Sequence, residues 1–211
     1  MKRAASLAIT LLLTAGARAD DKPAEMLHLS PVPGVSFDLP KSWIACDDAT
    51  NKLLGQHADP RDLKSKVCIV VPGVPYKFRS FDPVLFKTMS MLMDQHEQQD
   101  ITADELAAIT PEIAKAISPQ TCDAIVKPMT TDGTTIESCN VTVGTFAGLP
   151  ALHSIVVAMP PGNNSIAKYQ IDIFELPYSK GYFQVQFNSP VAFKSVTGPE
   201  MDTIVASFKI E

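Results

Sequence analysis

The 211-residue sequence lacks the short motifs that mark common catalytic and cofactor sites. It contains no G-x-S-x-G, H-E-x-x-H, P-loop or G-x-G-x-x-G pattern, and such patterns supply a nucleophile, a zinc site or a phosphate cradle. It also lacks a C-x-x-C pair, which disfavours a thiol redox enzyme. The histidines are scattered without the spacing of metal ligands: His28, His57, His96 and His153. The sequence therefore predicts neither a metal nor a cofactor.

Long hydrophobic runs are also absent. No stretch of about 18 uncharged apolar residues follows the N-terminal region, so the sequence predicts no membrane insertion of the mature chain. Residues 1–19 have the features of a signal peptide, because Lys2 and Arg3 precede a short apolar core. Small residues at Ala17 and Ala19 predict cleavage before Asp20. The mature protein is therefore predicted to be periplasmic or secreted.

Clusters of basic residues are missing as well. Removal of residues 1–19 leaves 15 of the 18 basic residues against 23 acidic ones, a net charge of −8. Nucleic acids and anionic lipid surfaces attract clustered Lys and Arg. The charge therefore argues against both as partners and is typical of a protein kept in solution by its acidic surface.

Cysteine is scarce, but all four cysteines lie in the predicted mature chain. An even number in an exported protein predicts two disulfides. Four cysteines allow three pairings, and neighbours in sequence close the shortest loops. The preferred pairs are Cys46–Cys68 and Cys122–Cys139.

The patterning of the mature chain predicts a single α+β domain over residues 34–211, preceded by a loose arm at 20–33. Alternating apolar and polar residues predict half-buried strands, and a β-branched run predicts a buried one. The terminal segment has apolar residues at helical spacing, with Pro199 near the start. The segments are strands around 35–39, 67–71, 139–143, 152–159, 169–173 and 183–187, and a helix around 199–208.

A helical block is predicted between these strands, over residues 82–118. Asp82-Pro83 resembles a helix start, and Leu85, Met89 and Leu92 follow at helical spacing. The methionines at 89, 91 and 93 are interpreted as core residues, with a partner-binding stripe as the alternative. The order of elements favours an antiparallel sheet with helices packed on its faces.

Three segments resemble the PsbP-like α/β/α sandwich, the fold of photosystem II accessory proteins and of many exported bacterial proteins. The likeness lies in Gly34-Val35-Ser36-Phe37-Asp38-Leu39-Pro40 with Trp43, in residues 148–153, and in residues 204–210. The resemblance implies a protein-binding or assembly role, and no functional residue of the family has a matching motif in this sequence.

Two functions remain open. The first is a non-enzymatic module that binds a protein or an envelope component. Its candidate recognition loop spans residues 47–62, because this segment is charged and bounded by predicted strands that carry Cys46 and Cys68. The acidic residues of the loop, which match no calcium-binding spacing, are Asp47, Asp48, Asp59 and Asp62. The alternative is a hydrolase whose site is assembled from distant residues, including His153 with a carboxylate and a serine.

Overall fold

Ten strands occur in the computed structural model, which describes residues 25–46, 76–82, 87–96, 102–131, 133–159, 168–178 and 181–211. They are β1 (Met26–Val32), β2 (Val35–Pro40), β3 (Ile44–Ala45), β4 (Tyr76–Asp82), β5 (Lys87–His96), β6 (Thr135–Phe146), β7 (Leu149–Met159), β8 (Tyr169–Tyr178), β9 (Gly181–Pro190) and β10 (Lys209–Ile210). Seven of them form one antiparallel sheet in the order β3-β4-β5-β9-β8-β7-β6. The predicted strand at 67–71 lies outside the described residues.

A smaller antiparallel sheet has the order β1-β2-β10. Its first two strands join through a turn at Gly34, whose positive φ of 78° suits glycine. Residues 20–33 were expected to form a loose arm, but Met26–Val32 is a strand. Pairing with β2, and not burial, makes this segment a strand, because most of its residues are exposed. Its register shifts between Leu29 and Val32, which accommodates Pro31.

In the described part of the chain, three α-helices accompany the sheets, namely α1 (Ala103–Ala107), α2 (Pro111–Thr131) and α3 (Lys194–Ser207). Thr102 and Glu105 form a capping box at the start of α1. Helix α2 continues past the predicted end at 118, so the period-two pattern begins only with β6. Helix α3 begins before Pro199, and Ile204 within it and Phe208 just after it are buried.

The prediction of a helical block over 82–118 is wrong in its first half. Asp82 ends β4, and Lys87–His96 is the strand β5, which pairs with both β4 and β9. The same sequence also has period two, since Met91 and Met93 lie on one face of the strand and are both fully buried. Hydrogen bonding to two neighbours and burial of this face therefore outweigh the helical spacing of the apolar residues.

The main core lies between the large sheet on one side and the small sheet with α3 on the other. Its members come from β2, from β4 to β9, from α3 and from the residues just after β2 and α3, and they are Val35, Phe37, Leu39, Trp43, Phe78, Met91, Met93, Phe146, Ala151, Phe174, Leu176, Phe183, Val185, Phe187, Ile204 and Phe208. A second cluster on the opposite face comprises Val156, Ala158, Ile171 and Ile173, with Ile125 and Met129 of α2 packed against it. The predicted α+β class, with elements on both faces of an antiparallel sheet, is confirmed.

Candidate functional site

The residues predicted to carry recognition fall on a part of the chain that is not described. Asp47, Asp48, Asp59 and Asp62 all lie outside the described residues, as does Cys68. The loop therefore remains a prediction.

The disulfide between Cys122 and Cys139 is present as expected, with the two Cα atoms 5.8 Å apart. It joins α2 to β6, and the two residues are 17 positions apart in the sequence. Cys46 is buried and is also disulfide-bonded. Its predicted partner, Cys68, is outside the described residues, so this second pairing stays a prediction.

A polar cluster surrounds His153 and includes Gln170 and Asp172 of β8. Gln170 and Asp172 of β8 lie on the same face as Phe174, because residues two positions apart share a face of a strand. Both polar residues are buried. Register pairing places His153 of β7 opposite Phe174, on that same face. The cluster therefore lies within the sheet and not at a loop.

Short hydrogen bonds connect the members of this cluster. His153 Nε2 lies 3.0 Å from Asp172 Oδ1. The amide nitrogen of Gln170 donates to both carboxylate oxygens of Asp172, at 3.0 and 2.8 Å. Lys194, the first residue of α3, donates its ammonium group to Gln170 Oε1. The network therefore connects β7, β8 and the start of α3.

The surroundings of His153 leave it little freedom to act on a substrate. Its ring stacks on Phe174 with centroids 4.1 Å apart and planes 13° apart, and its side chain is 19% exposed. The neighbouring Ser154 is buried on the opposite face, where it pairs with Val141 and Ile173. Within the described residues, the hydrogen-bond partner of the His153 ring is Asp172, and no serine completes a catalytic triad.

A half-buried strand was predicted around 169–173, which would place Gln170 and Asp172 on its solvent face. The alternation of Tyr169, Ile171 and Ile173 indicated a strand with one buried face, but β8 is central and is buried on both faces. The sequence feature that could have indicated burial is Phe174 and Leu176, two apolar residues that lie on the same face of β8 as Gln170 and Asp172. Both are buried. Buried polar groups are nearly always hydrogen-bonded, and Gln170 and Asp172 meet this requirement by bonding to each other.

A shallow surface pocket of about 450 Å³ lies beside the β1–β2 turn. It is lined by Ser30, Pro31, Pro33, Gly34, Val35, Ser36, Lys209 and Glu211. Among the described residues no group of three or more His, Cys, Asp or Glu side chains could hold a metal ion. No described helix is both long enough and apolar enough to cross a membrane.

The described architecture is a PsbP-like fold. A solution structure of cyanobacterial PsbP (CyanoP) from Synechocystis sp. PCC 6803 superposes with a TM-score of 0.51 and 15% sequence identity, over 93% of this chain and 99% of that one. The resemblance predicted from sequence is therefore confirmed at the level of the fold.

Two other solved structures align with lower scores. One is a crystal structure from Bacteroides thetaiotaomicron VPI-5482, with a TM-score of 0.42 and 10% identity, over 84% of this chain and 45% of that one. The other is LpqN, involved in cell envelope biogenesis of Mycobacterium tuberculosis, with a TM-score of 0.39 and 12% identity, over 88% of this chain and 90% of that one. No family model matches the chain, and no curated protein matches its sequence significantly.

Proposed function

We propose that this chain is an exported, non-enzymatic accessory module that binds a protein or another component of the cell envelope. The observation that carries the proposal is the PsbP-like fold, which extends over 93% of the chain. The sequence resemblance implies binding and assembly roles for this fold. The closed hydrogen-bond network around His153 also supports binding over catalysis, since the polar groups of Gln170 and Asp172 are engaged with one another.

The bonded cysteines support export. Cys122 pairs with Cys139, and Cys46 is disulfide-bonded as well. Structural disulfides persist in oxidising compartments such as the periplasm, and they are rare in the cytosol. We expect N-terminal sequencing of the protein recovered from an exported fraction to begin at Asp20. A sequence that begins at Met1, or recovery of the protein only with the membrane pellet, would contradict the proposal.

The proposed recognition segment is the acidic loop over residues 47–62. Cys46, at its N-terminal border, is buried and disulfide-bonded, which supports a loop with at least one fixed end. If Cys68 is the partner, the bond holds both ends and lowers the entropy lost on binding. Four carboxylates within 16 positions of the sequence favour a partner with a basic surface, because complementary charge speeds association and fixes orientation.

The test is a variant in which all four loop aspartates are replaced by serine. Partners are first captured from envelope extracts with the mature domain, and affinity is then measured for the purified pair. We expect the variant to bind at least about tenfold more weakly, with its free energy of unfolding unchanged to within about 1 kcal/mol. The matched control removes four exposed carboxylates elsewhere, namely Asp104, Asp123, Asp202 and Glu211.

The control variant loses the same net charge, so it separates a local effect of the loop from an effect of overall charge. Equal weakening in both variants would mean that total charge, and not the loop, carries binding. Unchanged binding of the loop variant would overturn the loop assignment. Turnover of an ester, peptide or glycan that is abolished by His153→Ala would overturn the binding function itself.

A further inference from the structure

The helix α2 lies along β6, the last strand of the large sheet in its described order. Edge strands present unpaired main-chain groups that other chains can bind, and proteins often protect them with a covering helix or a bulge. Both devices occur here, since the β6–β7 register shifts between Ile136 and Ser138. The state of α2 therefore decides how much of this edge is accessible.

Packing alone holds α2 weakly. Of its 21 residues only Ala114 is buried, and Ile113 is 46% exposed. Ile125 and Met129 are partly buried against the second core cluster. Two prolines, Pro119 and Pro128, lie inside the helix, and each removes a main-chain donor from the hydrogen-bond ladder. A helix with so small a buried face depends on other interactions to stay in place.

Those other interactions converge on the middle of the helix. Cys122 is covalently joined to Cys139 of β6. One turn earlier, Ser118 Oγ accepts a hydrogen bond from the Val141 main-chain nitrogen of β6, at 3.1 Å. The same hydroxyl lies 3.9 Å from Cys122 Sγ, and because a disulfide sulfur carries no hydrogen, the hydroxyl is the donor. The disulfide and the Ser118 hydrogen bond thus fasten α2 to the same part of β6, at Cys139 and Val141.

The surface beneath α2 is apolar. Val156, Ala158, Ile171 and Ile173 are each less than a tenth exposed in the presence of the helix. If α2 moves away, these side chains become accessible, and so does the main-chain nitrogen of Val141. A helix that is weakly packed, covalently fastened and placed over an apolar surface has the properties of a latch.

We propose that the Cys122–Cys139 disulfide is a redox-sensitive latch, and that its reduction releases α2 from β6 while the rest of the fold persists. The reductant is a dithiol. One of its thiolates attacks one sulfur of the bond, and the other sulfur leaves as a thiolate and takes up a proton. The second thiolate of the reductant then attacks the reductant's own sulfur in the mixed disulfide, and the remaining protein sulfur leaves as a thiolate and takes up a proton. The protein gains two thiols, and the reductant becomes a disulfide.

The experiment is amide hydrogen exchange of the full chain, measured by mass spectrometry with and without dithiothreitol. We expect reduction to accelerate exchange in peptides from α2 and β6 by on the order of 100-fold, the factor implied by loss of a cross-link with this separation. Exchange in β5 and β9, at the centre of the sheet, should not change.

A double variant, Cys122→Ala with Cys139→Ala, is the matched control. It should exchange like the reduced protein in α2 and β6 and should not respond there to dithiothreitol. Because it retains Cys46 and Cys68, it also reports the contribution of the other cysteines. If this variant does not fold, wild-type protein that has been reduced and alkylated in its native state replaces it.

Three results would overturn the proposal. The first is unchanged exchange in α2 and β6 although the mass shows that the bond is reduced. The second is acceleration of all strands together, which would mean that the disulfide holds the whole fold and not a local latch. The third is a Cys122–Cys139 bond that stays oxidised in dithiothreitol until the protein is denatured.

Discussion

The carboxylate of Asp172 is the most deeply buried acidic group in the described chain, with only 5% of its side chain exposed. Burial of a charge costs several kcal/mol unless partners compensate for it. His153 and Gln170 are those partners, and both lie within 3.0 Å of a carboxylate oxygen. Removal of one partner should therefore cost more stability than replacement of the whole pair, because it leaves a charge that water cannot reach.

We therefore expect His153→Leu to lower the free energy of unfolding by about 3 kcal/mol. The double variant with Asp172→Leu should lose less than the sum of the two single variants, with a coupling energy of about 1–3 kcal/mol. Urea denaturation at pH 7 measures all three. The exposed Lys41–Glu25 pair, at 2.8 Å, is the control, and Lys41→Ala should cost less than about 1 kcal/mol. Additive losses at His153 and Asp172 would show that the two side chains do not interact.

At the level of residues, burial was predicted correctly where the alternation of apolar and polar residues along one strand is sufficient to identify its buried face. The alternation in β9 predicted Phe183, Val185 and Phe187 as a buried face, and all three are at most 1% exposed. It failed at Gln170 and Asp172, because their burial depends on which strands lie beside β8. Spacing within one segment carries no information about neighbours that are distant in sequence.

At the scale of elements, α1 begins with a capping box, a feature that depends only on residues close together in the sequence. Thr102 and Glu105 form hydrogen bonds in both directions. The main-chain nitrogen and the hydroxyl of Thr102 each donate to Glu105 Oε2 at 2.8 Å. The nitrogen of Glu105 in turn donates to the Thr102 hydroxyl at 3.2 Å. These partners are three residues apart, so the sequence was sufficient to predict them.

The capping box should make α1 sensitive to acid. The hydrogen bonds from Thr102 hold the pKa of Glu105 below its ordinary value. The stabilisation is therefore present above the ordinary pKa of a glutamate and is lost as the pH falls through the lowered value in the folded protein. We expect NMR titration of Glu105 to give a lowered midpoint, with loss of protection at the Thr102 amide over the same pH range. Glu105→Gln should remove that pH dependence, and a midpoint at the ordinary glutamate value would contradict the assignment.

The strand β5 shows the opposite case. Its apolar residues satisfy both helical and strand periodicity, and the sequence provides no local means to choose between them. The choice is made by β4 and β9, which supply main-chain partners along both sides of the strand. Met91 and Met93 then fill the core as strand residues, and the methionine stripe is a buried feature at these two positions and not a recognition surface.

At the scale of the whole molecule, Phe37 connects the layers. Its ring lies edge-on to Phe78 of the large sheet, at 5.4 Å, and stacks on Phe208 after α3, at 4.5 Å. Phe208 in turn contacts Phe146 at the end of β6, at 4.8 Å. The small sheet, the large sheet and the terminal segment therefore share one aromatic cluster, and loss of its central ring should affect all of them.

We expect Phe37→Ala to lower the free energy of unfolding by about 3–5 kcal/mol. Thermal and chemical unfolding should still follow a single transition, because the cluster belongs to all layers at once. Leu27→Ala is the control, since Leu27 is 45% exposed on β1 and its loss should cost less than about 0.5 kcal/mol. A separate early transition of the small sheet would show that the layers unfold independently.

The small sheet joins segments from opposite ends of the described chain, since β10 pairs with β2 and the Asp38 main-chain nitrogen donates to Ser207 Oγ across 169 positions. Contacts this distant in sequence slow folding, because the chain must close a very long loop before they form. A nascent chain that lacks residues 207–210 cannot make them. The pairing of β10 with β2 must therefore wait until residues 207–210 have been synthesised, whatever contacts the rest of the nascent chain has already formed.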